Sequence, residues 1–206
     1  MLHSPTFKML MIALLSALGA ILMSFIQLPY PIAPFLRIEF SDVAVLIAFL
    51  LFGWKEAVFV GLFKAVLNGM ILGPVGPLWI GQISAFLASM AYVSGLFLVL
   101  RLSKIKHPIV LALMVVVWVT SLMLAVNYFI VTPVYLQTNF IAIRNSIALR
   151  DFLAFIGFDT SLGYLTFTVV LYAPFNFIKG SAIMAVYFVV SRATMSYFSI
   201  RPNESL

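Results

Sequence analysis

Apolar stretches recur along this chain at close to the length that crosses a bilayer, and proline, glycine and charged residues separate them. Of the 206 residues 64% are hydrophobic and only 9% charged, where a soluble domain is about a quarter charged. That excludes an ordinary soluble fold and a disordered chain, leaving a polytopic membrane protein. The net charge of +6 is not gathered into a basic surface for nucleic acid and reads as topology signal. With no cysteine, disulfides and thiolate metal sites are excluded.

The breaks place helices at 9–28, 41–52, 56–72, 78–100, 109–131 and 163–191, the last interrupted at Pro174. No cleavable signal peptide is expected, because the first block is too long for one. Pro29, Pro31 and Pro34 make 29–40 a stiff, non-helical loop. Ser41 and Asp42 read as an N-cap pair for the second helix, and Gly53 to Glu56 as a tight turn. Seven basic residues (Lys8, Lys55, Arg101, Lys104, Lys106, Arg192, Arg201) fall on the side of both termini and three (Arg37, Arg144, Arg150) on the other. The positive-inside rule then puts both termini in the cytoplasm. The expected fold is an all-α integral membrane protein, one six-helix transmembrane bundle over 1–206. It has tails at 1–8 and 193–206, and outer loops at 29–40 and 132–162, the second lying over the outer mouth.

Enzyme chemistry finds little support. No Gly-Lys dipeptide exists for a P-loop. His3 and His107 sit at cytoplasmic ends, too far from mid-membrane for a metal pair or catalytic dyad. Glu39 and Asp42 read as a loop charge and a cap. No cofactor or metal is expected.

Polar groups at membrane depth are expensive and usually functional. Asn176 and Lys179 share a face of the last helix, and Asn127 stands near the outer end of the fifth. Together they suit an uncharged polar ligand with alternating donors and acceptors, such as a ring imide; equally, the lysine snorkels and the amides join helices. Lys64 and Asn68 form an i, i+4 pair with two readings: lining the floor of the pocket or, preferred, a lysine reaching the cytoplasmic interface and an asparagine bonding a neighbouring helix. Ala13 and Ala17, with Ser16, Gly19 and Ala20 close by, offer a small-residue face, either for another membrane protein or for packing within the bundle. Phe35, Phe40, Trp79 and Tyr128 are the aromatics placed nearest an outer pocket.

Four segments occur in an order and spacing that resemble one family: Leu36 to Val43, Gly73 to Pro77, Leu124 to Tyr128, and Pro174-Phe175-Asn176-Phe177-Ile178-Lys179-Gly180. The chain resembles, over about 8–192, the riboflavin-specific substrate-binding (S) component of bacterial energy-coupling factor (ECF) transporters, the RibU family. The resemblance implies a six-helix bundle in the bacterial plasma membrane that binds riboflavin near the outer surface. It further implies assembly with a transmembrane coupling protein and two cytoplasmic ATPases, which fits the missing P-loop. Asn127, Asn176 and Lys179 match polar binding positions, and Ile32, Phe35, Arg37 and Gly76 match positions around the pocket. Arg37 departs from the small polar residue expected there and widens tolerance towards a phosphorylated flavin. Ala13 and Ala17 look like the motif that docks on the coupling subunit. The other readings are an S component for another vitamin, a stand-alone gradient-driven carrier and, last, an intramembrane enzyme. Thiamine fits poorly, because a cation gains nothing from Lys179.

Overall fold

A computed structural model of the chain describes residues 4–102, 107–137, 143 and 146–198. Lys104, Lys106, Arg144, Arg201 and His3, used in the reading above, lie outside the described residues. The chain forms α1 (Pro5–Phe25), β1 (Gln27–Tyr30), β2 (Ala33–Glu39), α2 (Ser41–Phe52), α3 (Trp54–Leu72) and α4 (Ile80–Leu102). After these come α5 (Pro108–Val126), α6 (Thr132–Tyr135), α7 (Ile147–Phe155) and α8 (Tyr164–Phe198). Among the described residues four helical stretches are long and apolar enough to cross a membrane: Pro5–Phe25, Pro77–Leu102, Pro108–Tyr135 and Tyr164–Phe198.

The 12 residues of α2 rise only about 18 Å, short of a bilayer core. They need not reach across it alone, because α2 is sheathed by α1, α3, α4 and α8. Ser41 to Phe49 are all buried. Gly53 alone links α2 to α3, at φ +96°, a conformation L side chains adopt only under strain; the expected four-residue turn is one residue. Farther on, the helical stretch that begins with α5 does not end at 131 but runs on to Tyr135. It passes through a widened turn at Asn127–Val131, where the Thr132 N–H donates to the Asn127 carbonyl. Pro133 supplies no N–H, and its ring crowds the carbonyl one turn back, so the helix opens there. In contrast α8 runs unbroken through Pro174, and the expected interruption is absent: packing on α5 and α2 holds both halves in line.

The proline-rich loop is a β-hairpin. β1 and β2 pair antiparallel, Gln27 opposite Glu39 and Pro29 opposite Arg37, with the register shifting between Pro29 and Tyr30. Prolines are tolerated because both strands are edges. Two apolar clusters result. One fills the helix bundle around α2, with Val45, Leu46, Val60, Val93 and Ile183. The other joins hairpin residues Tyr30 and Ala33 to Leu149 and Leu153 of α7 and to Phe167, Leu171 and Phe175 of α8. Thus the described part of 132–162 packs through Leu149 and Leu153 against the hairpin and α8. Ser146 caps α7 by accepting from the Leu149 N–H at 3.1 Å.

The turn before α4 is held by a close packing. Leu78 and Trp79 both have positive φ, and the Trp79 indole lies against Gly69, where a Cβ would stand 2.0 Å from the ring. Gly69→Ala is expected to lower stability by about 1–3 kcal/mol through overpacking. Gly163→Ala, with nothing within 4 Å of the added carbon, is expected to stay within about 0.5 kcal/mol. Thermal unfolding in detergent compares the two.

Candidate ligand-binding cavity

Between the two apolar clusters lies a cavity of about 380 Å³. Ala88, Tyr92, Val119 and Met123 line it from the bundle, and Phe35, Leu36, Tyr172 and Phe175 from the hairpin cluster. Its polar wall includes Asn127, Asn176, Lys179, Glu39, Arg37 and Gln27. Five expected residues therefore meet there: Phe35, Arg37, Asn127, Asn176 and Lys179. Two do not line it. Ile32 stands exposed in the hairpin turn, and Gly76 sits behind Ile80 and Tyr135, which do form the wall. Among the four aromatics named above only Phe35 lines the cavity; Trp79 covers Gly69, and Tyr128 stacks on Tyr164, centroids 4.7 Å apart.

The two asparagines are held alike. Asn127 Nδ2 donates to the Met123 carbonyl at 2.7 Å and Asn176 Nδ2 to the Tyr172 carbonyl at 2.8 Å. Each bond fixes the side chain along its own helix. It leaves the other N–H and the amide oxygen without a hydrogen bond among the described residues, facing a cavity that both residues line. The widened turn at Asn127 is the kind of helix defect found at functional sites.

Lys179 neither snorkels nor stands alone. Its Nζ is 2.8 Å from Glu39 Oε1 and 3.7 Å from Asp42 Oδ2. Glu39 Oε2 accepts from the Ser41 backbone N–H at 2.6 Å, so this carboxylate satisfies the start of α2. Phe40 stands at the cap position and offers no capping side chain; the expected Ser41–Asp42 cap is not formed, because both side chains turn into the bundle. There Lys64 Nζ donates to Ser41 Oγ at 2.5 Å and to Asp42 Oδ1 at 2.6 Å, and Ser89 Oγ donates to the same Asp42 oxygen at 2.7 Å. Lys64 is fully buried, not at the cytoplasmic interface as expected: the Asp42 carboxylate is a nearer partner than interfacial water. Burial alone would raise the Glu39 carboxyl, but the Lys179 and Lys64 ammonium groups outweigh it and hold Glu39 well below the usual carboxylate range.

Asn68 does bond across helices, to Ser24 at 3.0 Å and from Gln82 at 3.2 Å. Gln82 also accepts from the Val75 N–H and donates to the Gly73 carbonyl, which fastens the glycine-proline loop beside the cavity. At the exposed rim Arg37 donates to Gln27. Sequence reasoning passed over Glu39, Tyr92, Tyr172 and Phe175 as wall residues. Only the adjacent acidic pair Glu39 and Asp42 carried a signal, and it was read as a helix start.

The arrangement can bind a flat, mostly apolar, uncharged molecule with a polar edge. Its walls are aromatic and aliphatic, its amides offer donor and acceptor together, and its ammonium is already balanced. Among the described residues no group of acids and histidines is placed to hold a metal ion.

Comparison with known proteins agrees. The family model "ECF transporter, substrate-specific component" matches residues 7–191. The riboflavin transporter FmnP of Bacillus subtilis (strain 168) is 31% identical over 185 residues, 89% of this chain and 89% of that protein. The riboflavin transporter RibU of Staphylococcus aureus (strain TCH60) is 27% identical over 195 residues, 92% of this chain and 91% of that protein. A solved structure of the S component of a bacterial ECF transporter superposes with a TM-score of 0.68 at 24% identity, covering 96% of this chain and all of that one; that likeness is one of fold.

Lys64→Met strips Asp42 of its closest cation and is expected to destabilise the protein by about 3–5 kcal/mol. Adding Asp42→Asn is expected to recover most of the loss. Melting temperatures in detergent give both values.

Proposed function

The chain belongs to the family of ECF transporter substrate-specific components, and from that premise we propose that it captures riboflavin outside the bacterial plasma membrane and delivers it through an ATP-driven complex. The observation that carries this reading is the convergence of Asn127, Asn176 and Lys179 on one apolar-walled cavity under the hairpin. Its volume, about 380 Å³, falls in the range of roughly 300–1,000 Å³ that small-molecule sites occupy. The isoalloxazine ring fits between aromatic and aliphatic walls, and its imide edge takes the asparagine amides. Lys179 donates to a ring carbonyl or a ribityl hydroxyl. Phe35 covers the ring from the hairpin and Arg37 guards the rim; Ile32 and Gly76 act from outside the wall, through the hairpin turn and the loop behind Tyr135.

In this reading α1 to α5 and α8 are the six crossing segments, and both termini face the cytoplasm. An ion pair between Lys8 and Glu56 supports it by tying the start of α1 to the start of α3, two ends assigned to one side. The energy comes from a transmembrane coupling protein with two ATPases, since the chain has no P-loop of its own. Ala13 and Ala17 are exposed while Ser16, Gly19 and Ala20 of the same helix are buried, so the outer alanine face is the one free to dock on the coupling protein.

The buried charge cluster gives a gradient-driven carrier its only support. Riboflavin uptake by the purified chain alone in liposomes, without ATPases, would favour that alternative.

Titrating riboflavin fluorescence with the detergent-purified protein is expected to show saturable quenching that thiamine does not compete away; no quenching by folded protein would overturn the substrate. Asn176→Ala and Asn127→Ala each leave part of the ring edge unpaired, about 1–3 kcal/mol, and are expected to weaken binding by roughly 5- to 150-fold with the fold intact. Ala13→Trp is expected to leave that binding unchanged and abolish uptake by the assembled transporter, because the bulk stands on the docking face.

A further inference from the structure

The inner end of the cavity is electrically balanced by a residue that is not among the expected binding residues, Glu39. Four charged groups meet there: Glu39 at the end of β2, Asp42 on α2, Lys64 on α3 and Lys179 on α8. Two are cationic and two anionic. Lys64 and Asp42 are sealed off, with side chains 0% and 1% exposed. Lys179 and Glu39 face the cavity, at 11% and 7%. From α4 comes Tyr92, which lines the cavity and makes no hydrogen bond among the described residues. α5 has no charged residue and the one on α1, Lys8, pairs with Glu56 at the start of α3, while Arg37 stands away at the exposed rim, held by Gln27. With Asp42 shared between Lys64 at 2.6 Å and Lys179 at 3.7 Å, Glu39 is the nearest anion to Lys179, at 2.8 Å, and removing its charge leaves the four groups with a net charge of one positive.

We propose that Glu39, by neutralising Lys179, sets the charge preference of the cavity, which accepts the uncharged oxidised flavin ring and discriminates against the reduced, anionic ring. This rests on the riboflavin reading. Two electrons and one proton convert the oxidised ring to a reduced ring bearing one negative charge on its pyrimidine edge, the edge that amides and ammonium suit. In a mostly apolar cavity a charge is worth far more than in water. A floor with no net charge leaves that anion uncompensated; a floor carrying one positive charge compensates it. Glu39 is thus a positioning residue that acts through Lys179: it holds the ammonium as a donor while cancelling its field.

The test is an anaerobic dithionite titration of riboflavin bound to the full-length protein in detergent, at pH 8, with a reference dye. The midpoint potential of the bound ring reports the ratio of affinities for its two forms. Wild type is expected to lie below free riboflavin. Glu39→Gln is expected to raise the bound potential by at least about 30 mV, which is tenfold in relative affinity for a two-electron couple. Lys179→Met is expected to lower it below wild type. The double variant, again balanced, is expected to return close to wild type despite weaker binding. A purely structural role for Glu39 would weaken both redox forms equally and leave the potential unmoved, and that result overturns the proposal. If Glu39→Gln does not fold, Lys179→Met against the double variant still decides, because equal potentials there overturn it as well. Wild-type protein that binds no riboflavin sinks the functional reading and this proposal together, whereas binding with unmoved potentials sinks this proposal alone.

Discussion

Everything near the cavity is arranged around two buried lysines and the two carboxylates that balance them. An isolated charge in the bilayer interior is costly, and a buried pair compensates its desolvation only when geometry and extra hydrogen bonds are good. Here one point, the start of α2, collects Glu39, Ser41 and Asp42, and three other helices reach towards it with Lys64, Ser89 and Lys179. Satisfying those charges fixes the hairpin's inner end, the depth of α2 and the rotation of α3 and α8. The approach of α1 follows too: at Gly19 a Cβ would stand 3.2 Å from the Lys64 stem, so the lysine and the glycine require each other.

The cavity lies where the two apolar clusters meet. The bundle cluster, centred on α2, is anchored by the charges. The second cluster, of hairpin, α7 and one end of α8, is held by aromatic contacts such as Tyr30 on Phe175 and Phe35 on Phe152, with centroids 5.4 Å apart in both. Wall residues come from both clusters, so binding there bridges them. Glu39 is the exception to this division: it is covalently part of the hairpin but electrostatically part of the bundle. The cover is therefore tethered at its inner end, and its tip, with Ile32, is exposed.

Much of this was legible in the sequence wherever the signal was local. Proline and glycine marked the breaks, and the second helix occupies 41–52 as read. Asn127, Asn176 and Lys179 stood out because polar groups are rare in apolar spans. What spacing does not contain is partnership. Lys179 pairs with a residue 140 positions away and Lys64 with one 22 away, and neither pairing follows from a helical period. For the same reason Lys64 looked like a snorkelling cation and Asp42 like a cap: each is the local explanation of a residue whose true partner is distant. Tyr92 was hidden differently, as one aromatic among many in a helix whose inward face only the packing reveals.

A lysine that binds an uncharged ligand presents a physical difficulty, since its field favours anions. Asparagine would donate without that bias, and three asparagines, Asn68, Asn127 and Asn176, already line the cavity. What the ammonium adds is a stronger, charge-assisted donor in a mostly apolar cavity. Pairing it with Glu39 retains the donor and removes the bias, provided the carboxylate is itself held. That condition is met by the Ser41 N–H at 2.6 Å, and Asp42 stands behind as a second anion at 3.7 Å. On the proposed reading, the neutral floor suits an uncharged ring edge, and the exposed Arg37 at the rim is the group placed to meet negative charge on the ligand's tail.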